Sequence, residues 1–141
     1  MVTWEYMGKE VSEKPPKATM FGFIYRIDYT NKKSYIGKKQ FFSNRRVPLG
    51  KKELELLTDK RASKFKQVVK ENDWRGYVGS SKVTKGFVVE KKTILEICYD
   101  KLNLTYCEQK HLMRADVLVD EKYANDCIGG KFYSGKISKG R

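Results

Sequence analysis

Two strand-forming runs joined by three turn residues constrain this 141-residue chain more than any other feature. Phe23-Ile24-Tyr25-Arg26-Ile27-Asp28-Tyr29 is dominated by β-branched and aromatic side chains, which favour extended backbone. Thr30-Asn31-Lys32 supplies the turn, since Asn tolerates a left-handed backbone, and Lys33-Ser34-Tyr35-Ile36-Gly37 returns. A three-residue loop opposes Tyr29 to Lys33 and Ile27 to Tyr35. Tyr25 and Tyr35 then lie diagonally on one face, about 7–8 Å apart between backbones. Two phenols beside Lys38 and Lys39 make either a polar site or a pair of aromatics that stiffens a hairpin.

Beyond the hairpin, Thr93-Ile94-Leu95-Glu96-Ile97-Cys98-Tyr99 reads as a third strand. Leu54, Leu57, Phe65, Val68 and Val69 predict a helix over residues 51–71, its other positions loaded with Lys60, Arg61, Lys64 and Lys66. A second helix is predicted over residues 105–119. The expected fold is α+β, a small three-stranded antiparallel sheet flanked by helices. Pro15-Pro16 sets off an N-terminal arm (residues 1–19) from a body of residues 20–132, and the Gly-rich, basic residues 133–141 form a tail. Tyr77-Val78-Gly79 echoes Tyr35-Ile36-Gly37, but two tripeptides do not make a repeat.

Charge narrows the choice of partner. The net charge is +13, and residues 21–92 hold nineteen Lys and Arg against seven Asp and Glu. Basic side chains that neutralise phosphates release condensed counterions, so a polyanion explains the bias better than an unpartnered basic surface does. A membrane surface would instead want a basic amphipathic helix with a clean apolar face. No run approaches the roughly 18 apolar residues of a membrane span, and the first residues do not resemble a secretory signal. Cys98, Cys107 and Cys127 form no C-x-x-C pair, and His111 alone could join them on zinc. Buried thiols in a reducing, cytoplasmic setting are the expectation.

Glu108 draws most interest among single residues. Leu104, Glu108, Leu112 and Ala115 follow a helical row, which puts a carboxylate in an apolar stripe. Burial there is costly unless the charge is paired, neutralised or bound to a metal. The rival reading is a capping box in Thr105-Tyr106-Cys107-Glu108, with Glu108 bonding back to the Thr105 backbone. Asn125 is either a loop-ordering amide or a site residue. His111 stands without a serine or carboxylate partner in view, so a packed helix histidine is favoured over a triad. No G-x-x-x-x-G-K-[ST] loop supports a nucleotide site.

Taken in order, these elements resemble the GIY-YIG nucleases. Phe23-Ile24-Tyr25 stands where that family has Gly-Ile-Tyr, and Tyr35-Ile36-Gly37 matches its second element. Arg45 falls about ten residues after Tyr35, where the family's catalytic arginine stands, with Arg46 beside it. Glu108 matches the lone helix glutamate and Asn125 the downstream asparagine. The stretch from Asp73 through Gly79-Ser80-Ser81-Lys82, with Tyr123-Ala124-Asn125, resembles the small phage-type, stand-alone branch. The chain departs from the pattern at Phe23, in the nine residues between its two tyrosines, and at Leu49, where some relatives carry His or Tyr.

The resemblance implies a phosphodiester hydrolase acting on DNA, double-stranded in the first instance, with one Mg2+ or Mn2+ held by Glu108. It implies Tyr25 as the base for the attacking water, Tyr35 as a positioning hydroxyl and Arg45 as the stabiliser of the charged phosphate. Lys38 and Asn125 would support them, and Lys39, Arg46, Arg61, Lys64, Arg75 and Lys82 would contact nucleic acid. The family's homing enzymes append a recognition domain, for which this length leaves no room, so specificity is expected either to be low or to come from a homodimer or the N-terminal arm. Three alternatives stay open: an inactive basic DNA- or RNA-binding module, an RNA-processing nuclease with the same chemistry, and a basic scaffold for acidic proteins.

Overall fold

The computed structural model describes residues 2–59 and 61–137. Two compact units appear, one of Met1–Phe41 with Asp73–Arg141 and one of Phe42–Asn72. The first contains β1 (Trp4–Tyr6), β2 (Lys9–Glu10), β3 (Gly22–Tyr29) and β4 (Ser34–Gln40). The second contains β5 (Phe42–Pro48), α1 (Lys51–Glu55) and β6 (Phe65–Glu71). The chain then returns to the first unit for β7 (Val89–Cys98), α2 (Lys101–Arg114), β8 (Cys127–Ile128) and β9 (Phe132–Tyr133).

The class is α+β as expected, but the main sheet has five strands rather than three, in the order β2-β1-β7-β3-β4. The hairpin register is the one the loop length dictates, with Ile27 opposite Tyr35 and Tyr25 opposite Gly37. β3 also pairs antiparallel with β7, and a bulge falls between Ile24 and Tyr25. The two additional strands come from the segment read as an arm. β1 runs parallel to β7, with Trp4 opposite Lys92, and β2 folds back on β1. Burial of one large side chain explains the recruitment. Trp4 is fully buried, and its indole N–H donates to the Trp74 carbonyl at 2.7 Å. A three-residue strand gives sequence periodicity too little to register.

β3 is covered on both faces, so its alternating side chains feed two cores. Phe23 and Tyr25 join Trp4, Phe41 and Trp74 in an aromatic cluster of edge-on and tilted rings. Ile24, in turn, packs with Ile36, Cys98, Leu104, Cys107, Leu112, Val117 and Ile128 beneath α2.

Two helix boundaries differ from the expectation. α2 starts four residues earlier than residue 105, because the Asp100 carboxylate accepts the Asn103 backbone N–H at 2.7 Å and caps it. It stops at Arg114, and Asp116 follows with a left-handed φ of 56°. Residues 51–71 are not one helix: α1 has five residues, and β6 pairs antiparallel with β5 as a two-stranded ribbon. Phe65, Val68 and Val69 fit helical spacing, but β-branched and aromatic types favour a strand once one lies alongside. Turn bonds at Asp59 and Ser63 break the run between them.

Candidate active site

Tyr25 is held from three sides. Gly37 lies directly across the sheet, and a β-carbon there would sit 2.5 Å from the Tyr25 hydroxyl. The Tyr77 ring meets Tyr25 edge-on at 5.9 Å. Tyr35 packs alongside with ring centroids 6.4 Å apart, so the diagonal pairing of the two phenols is realised. Burial, and then the neighbouring phenols, push the Tyr25 pKa well above the ordinary tyrosine range. Among the described residues, no cation offsets that effect. Lys38 points instead to Glu108 and Thr105, at 4.0 and 3.2 Å. Tyr25 is therefore a neutral phenol at neutral pH, and Lys38 is engaged with Glu108 and Thr105.

Tyr35 is more open. Burial raises its pKa, the nearby Ser81 side chain opposes the shift, and the Glu108 carboxylate adds to it. Tyr35 and Glu108 thus belong to one electrostatic neighbourhood. Glu108 lies two turns into α2, not at its start, so the capping-box reading is overturned. Its side chain keeps 22% of its exposure, and burial pushes its carboxyl above the usual range, opposed by the Lys38 ammonium. A desolvated carboxylate with one long ion pair is a poorly neutralised charge.

Asn125 has a defined job. Its buried side chain accepts the Ile36 backbone N–H at 3.1 Å and donates to the Ile36 carbonyl at 2.8 Å. The amide completes the open edge of β4 where the chain runs through Tyr35-Ile36-Gly37. Two backbone bonds extend the same edge, Ser34 N–H to Lys122 and Ala124 N–H to Ser34, each 2.7 Å. Asn125 holds the strand that carries Tyr35.

The remaining candidates scatter. Arg75 stacks on Trp74 at 4.7 Å and donates through Nε to the Ser12 carbonyl at 2.5 Å, which ties the first residues down. Lys39 lies over the Tyr77 ring at 4.5 Å, and Lys82 is exposed on the following loop. Arg45, Arg46, Arg61 and Lys64 all belong to the 42–72 unit and are exposed. Arg61 sits in a turn rather than in the expected helix.

Sequence reasoning missed Tyr77, Ser80 and Ser81. Tyr77 packs edge-on against Tyr25, Ser80 lies 3.3 Å from the Tyr77 hydroxyl, and Ser81 neighbours Tyr35. The echo between residues 77–79 and 35–37 was the available signal. It marks a second Tyr-x-Gly segment packed on the first tyrosine, not a repeat.

A separate cluster lies beneath α2. The Glu96 carboxylate accepts from the Cys107 thiol at 3.1 Å and lies 3.0 Å from His111 Nε2. Ligand atoms of Glu96, Cys98 and Cys107 fall within 4.8 Å of one another. His111 thus has a carboxylate partner that the sequence did not reveal. Burial pushes the Cys98 thiol up to about 12, and thiols are in any case poor ligands for hard ions such as Mg2+.

A family model described as "Putative endonuclease segE, GIY-YIG domain" matches residues 4–137. The chain belongs to the GIY-YIG endonuclease family. Comparison with curated proteins and with solved structures gave no match.

Proposed function

We propose that the chain is a divalent-metal-dependent endonuclease that hydrolyses phosphodiester bonds in duplex DNA. Membership of an endonuclease family supports the reaction class. The observation that carries the site is Glu108, a desolvated carboxylate that Lys38 neutralises only from 4.0 Å and that Tyr35 senses. A hard divalent cation fits this donor, since the charge is incompletely compensated and oxygen is the ligand such ions prefer. Glu108 would hold it, and the bound ion would polarise the scissile phosphate and stabilise the leaving oxygen.

The chain's own residues divide the remaining work. Tyr35 orients water or phosphate through a hydroxyl that lies near Ser81 and Glu108. Tyr25 keeps its proton and acts as a fixed neutral hydroxyl packed against Tyr77, and the proton of the attacking water would pass to bulk solvent. The resemblance alone assigns Arg45, in the 42–72 unit, the stabilisation of charge on the pentacovalent phosphate, a task that suits a planar two-pronged donor. Asn125 positions Tyr35 through Ile36.

Tyr25→Phe and Tyr35→Phe test this division on supercoiled plasmid. Loss of the Tyr35 hydroxyl should lower kcat at least tenfold. The pH–rate profile of the wild type should show no limb that disappears in Tyr25→Phe, and such a limb would restore Tyr25 as the base.

A further inference from the structure

The 42–72 unit has the make-up of a surface built to meet something else. It pairs β5 with β6 in the register Asn44 to Val69, Arg45 to Val68, Arg46 to Gln67 and Val47 to Lys66. Side chains alternate, so Asn44, Arg46, Gln67 and Val69 share one face, and Arg45, Lys66 and Val68 share the other. Neither face is buried: Ser43–Arg46 and Phe65–Lys70 are exposed throughout. Nine Lys and Arg against four Asp and Glu make residues 42–72 basic. A ribbon without a core of its own does not owe this composition to packing.

The two faces differ in chemistry. On the Arg45 face, Lys66 is paired with Glu53 of α1 at 2.6 Å. The opposite face gathers the three side-chain types that form paired hydrogen bonds to base edges, Arg to guanine and Asn or Gln to adenine. Arg46 lies over the Phe65 ring at 4.2 Å. Stacking engages the flat face of the guanidinium and leaves its N–H edge free to donate, the arrangement that two-pronged recognition of guanine needs. Asn44 and Arg46 are two residues apart, about 7 Å along the strand and so roughly two base-pair steps. A two-stranded ribbon also fits the width of the major groove of B-form DNA.

We propose that the 42–72 ribbon is a sequence-reading element, which enters the major groove of duplex DNA with Asn44, Arg46 and Gln67 toward the base edges. The inference rests on DNA being the substrate and goes beyond it by locating sequence recognition in the 42–72 unit. Arg46 reads guanine, while Asn44 and Gln67 read adenine at neighbouring positions.

The test is selection of bound sequences from a randomised duplex DNA library, using the full chain with Glu108→Gln so that binding is read without cleavage. The parent should enrich a short motif containing guanine and adenine. Arg46→Ala and Arg46→Lys should both lose discrimination at one position by about 10- to 100-fold, Lys because it keeps the charge but not the fork. Asn44→Ala and Gln67→Ala should each relax a different position. Circular dichroism of each variant guards against a misfolded ribbon. An enriched motif that all four variants leave unchanged, no motif with the parent, or preference for RNA over duplex DNA would overturn the proposal. A motif that responds to the variants, from a protein that cleaves no DNA, would keep the ribbon and refute the nuclease reading instead.

Discussion

The hydroxyl of Tyr25 occupies the space that a β-carbon on Gly37 would need. A methyl group at that position would lie 2.5 Å from the hydroxyl oxygen and 2.7 Å from the ring carbon bearing it. Tyr25 cannot swing aside, since Trp4, Tyr35 and Tyr77 surround its ring. The glycine that closes Tyr35-Ile36-Gly37 is therefore a consequence of where the first tyrosine sits.

Gly37→Ala should displace Tyr25, destabilise the domain by about 1–3 kcal/mol as overpacked sites do, and lower cleavage at least tenfold. Denaturant melts and near-ultraviolet circular dichroism, which reports the tyrosine environment, check this. An alanine variant with unchanged melting and activity would show that the ring has room to move.

Asn125→Ala should act through the strand edge. It leaves the Ile36 N–H and carbonyl without their partner, at a cost of about 1–3 kcal/mol. Amide hydrogen exchange at Ile36 should accelerate in the variant while exchange in α2 changes little. Unaltered exchange at Ile36 would remove Asn125 from the clamp.

Glu108 should weaken the apo protein that it serves. Burial raises its carboxyl pKa, so the folded state binds more protons than the unfolded state once pH exceeds the ordinary glutamate value. Stability from this group falls as pH rises through that window, and the full cost is present above the folded pKa. Glu108→Gln should thus raise the melting temperature at pH 7 without added metal. Added Mg2+ or Mn2+ should stabilise the wild type and not the variant. A variant that melts lower in metal-free buffer would mean that the Lys38 pair outweighs the burial cost.

Lys92 gives the opposite sign. It is almost fully buried, donates to the Arg75 carbonyl at 3.0 Å, and burial lowers its pKa to about 8. Between that value and its ordinary 10.5 the unfolded chain binds the extra proton, so stability rises with pH across the window, by at most about 3 kcal/mol. The wild type should gain on Lys92→Met as pH rises from 8 to 10.5. Parallel stability curves would show the ammonium to be solvated.

The parts legible in the sequence were those set by local rules. Loop length fixed the register that puts Tyr25 and Tyr35 on one face, and helical spacing drew attention to Glu108. What stayed hidden depended on partners distant along the chain. Trp4 becomes a strand residue only because β7 and Trp74 receive it. Residues 65–71 become a strand only because β5 lies beside them. Tyr77 gains its meaning from Tyr25, more than fifty residues earlier in the chain. The helix start was misplaced for a local reason: Thr105-Tyr106-Cys107-Glu108 and Asp100 both offer a cap, and Asp100 is the one whose carboxylate reaches a free N–H.

The central claim is metal-assisted cleavage of DNA at Glu108. Its most direct test is incubation of supercoiled plasmid with the wild type and with Glu108→Gln, each with and without Mg2+, read as nicked and linear product. The account predicts cleavage by the wild type in Mg2+ alone, and none by the variant although it still binds DNA. Equal cleavage by the variant, or cleavage by the wild type that persists in a metal chelator, would contradict it.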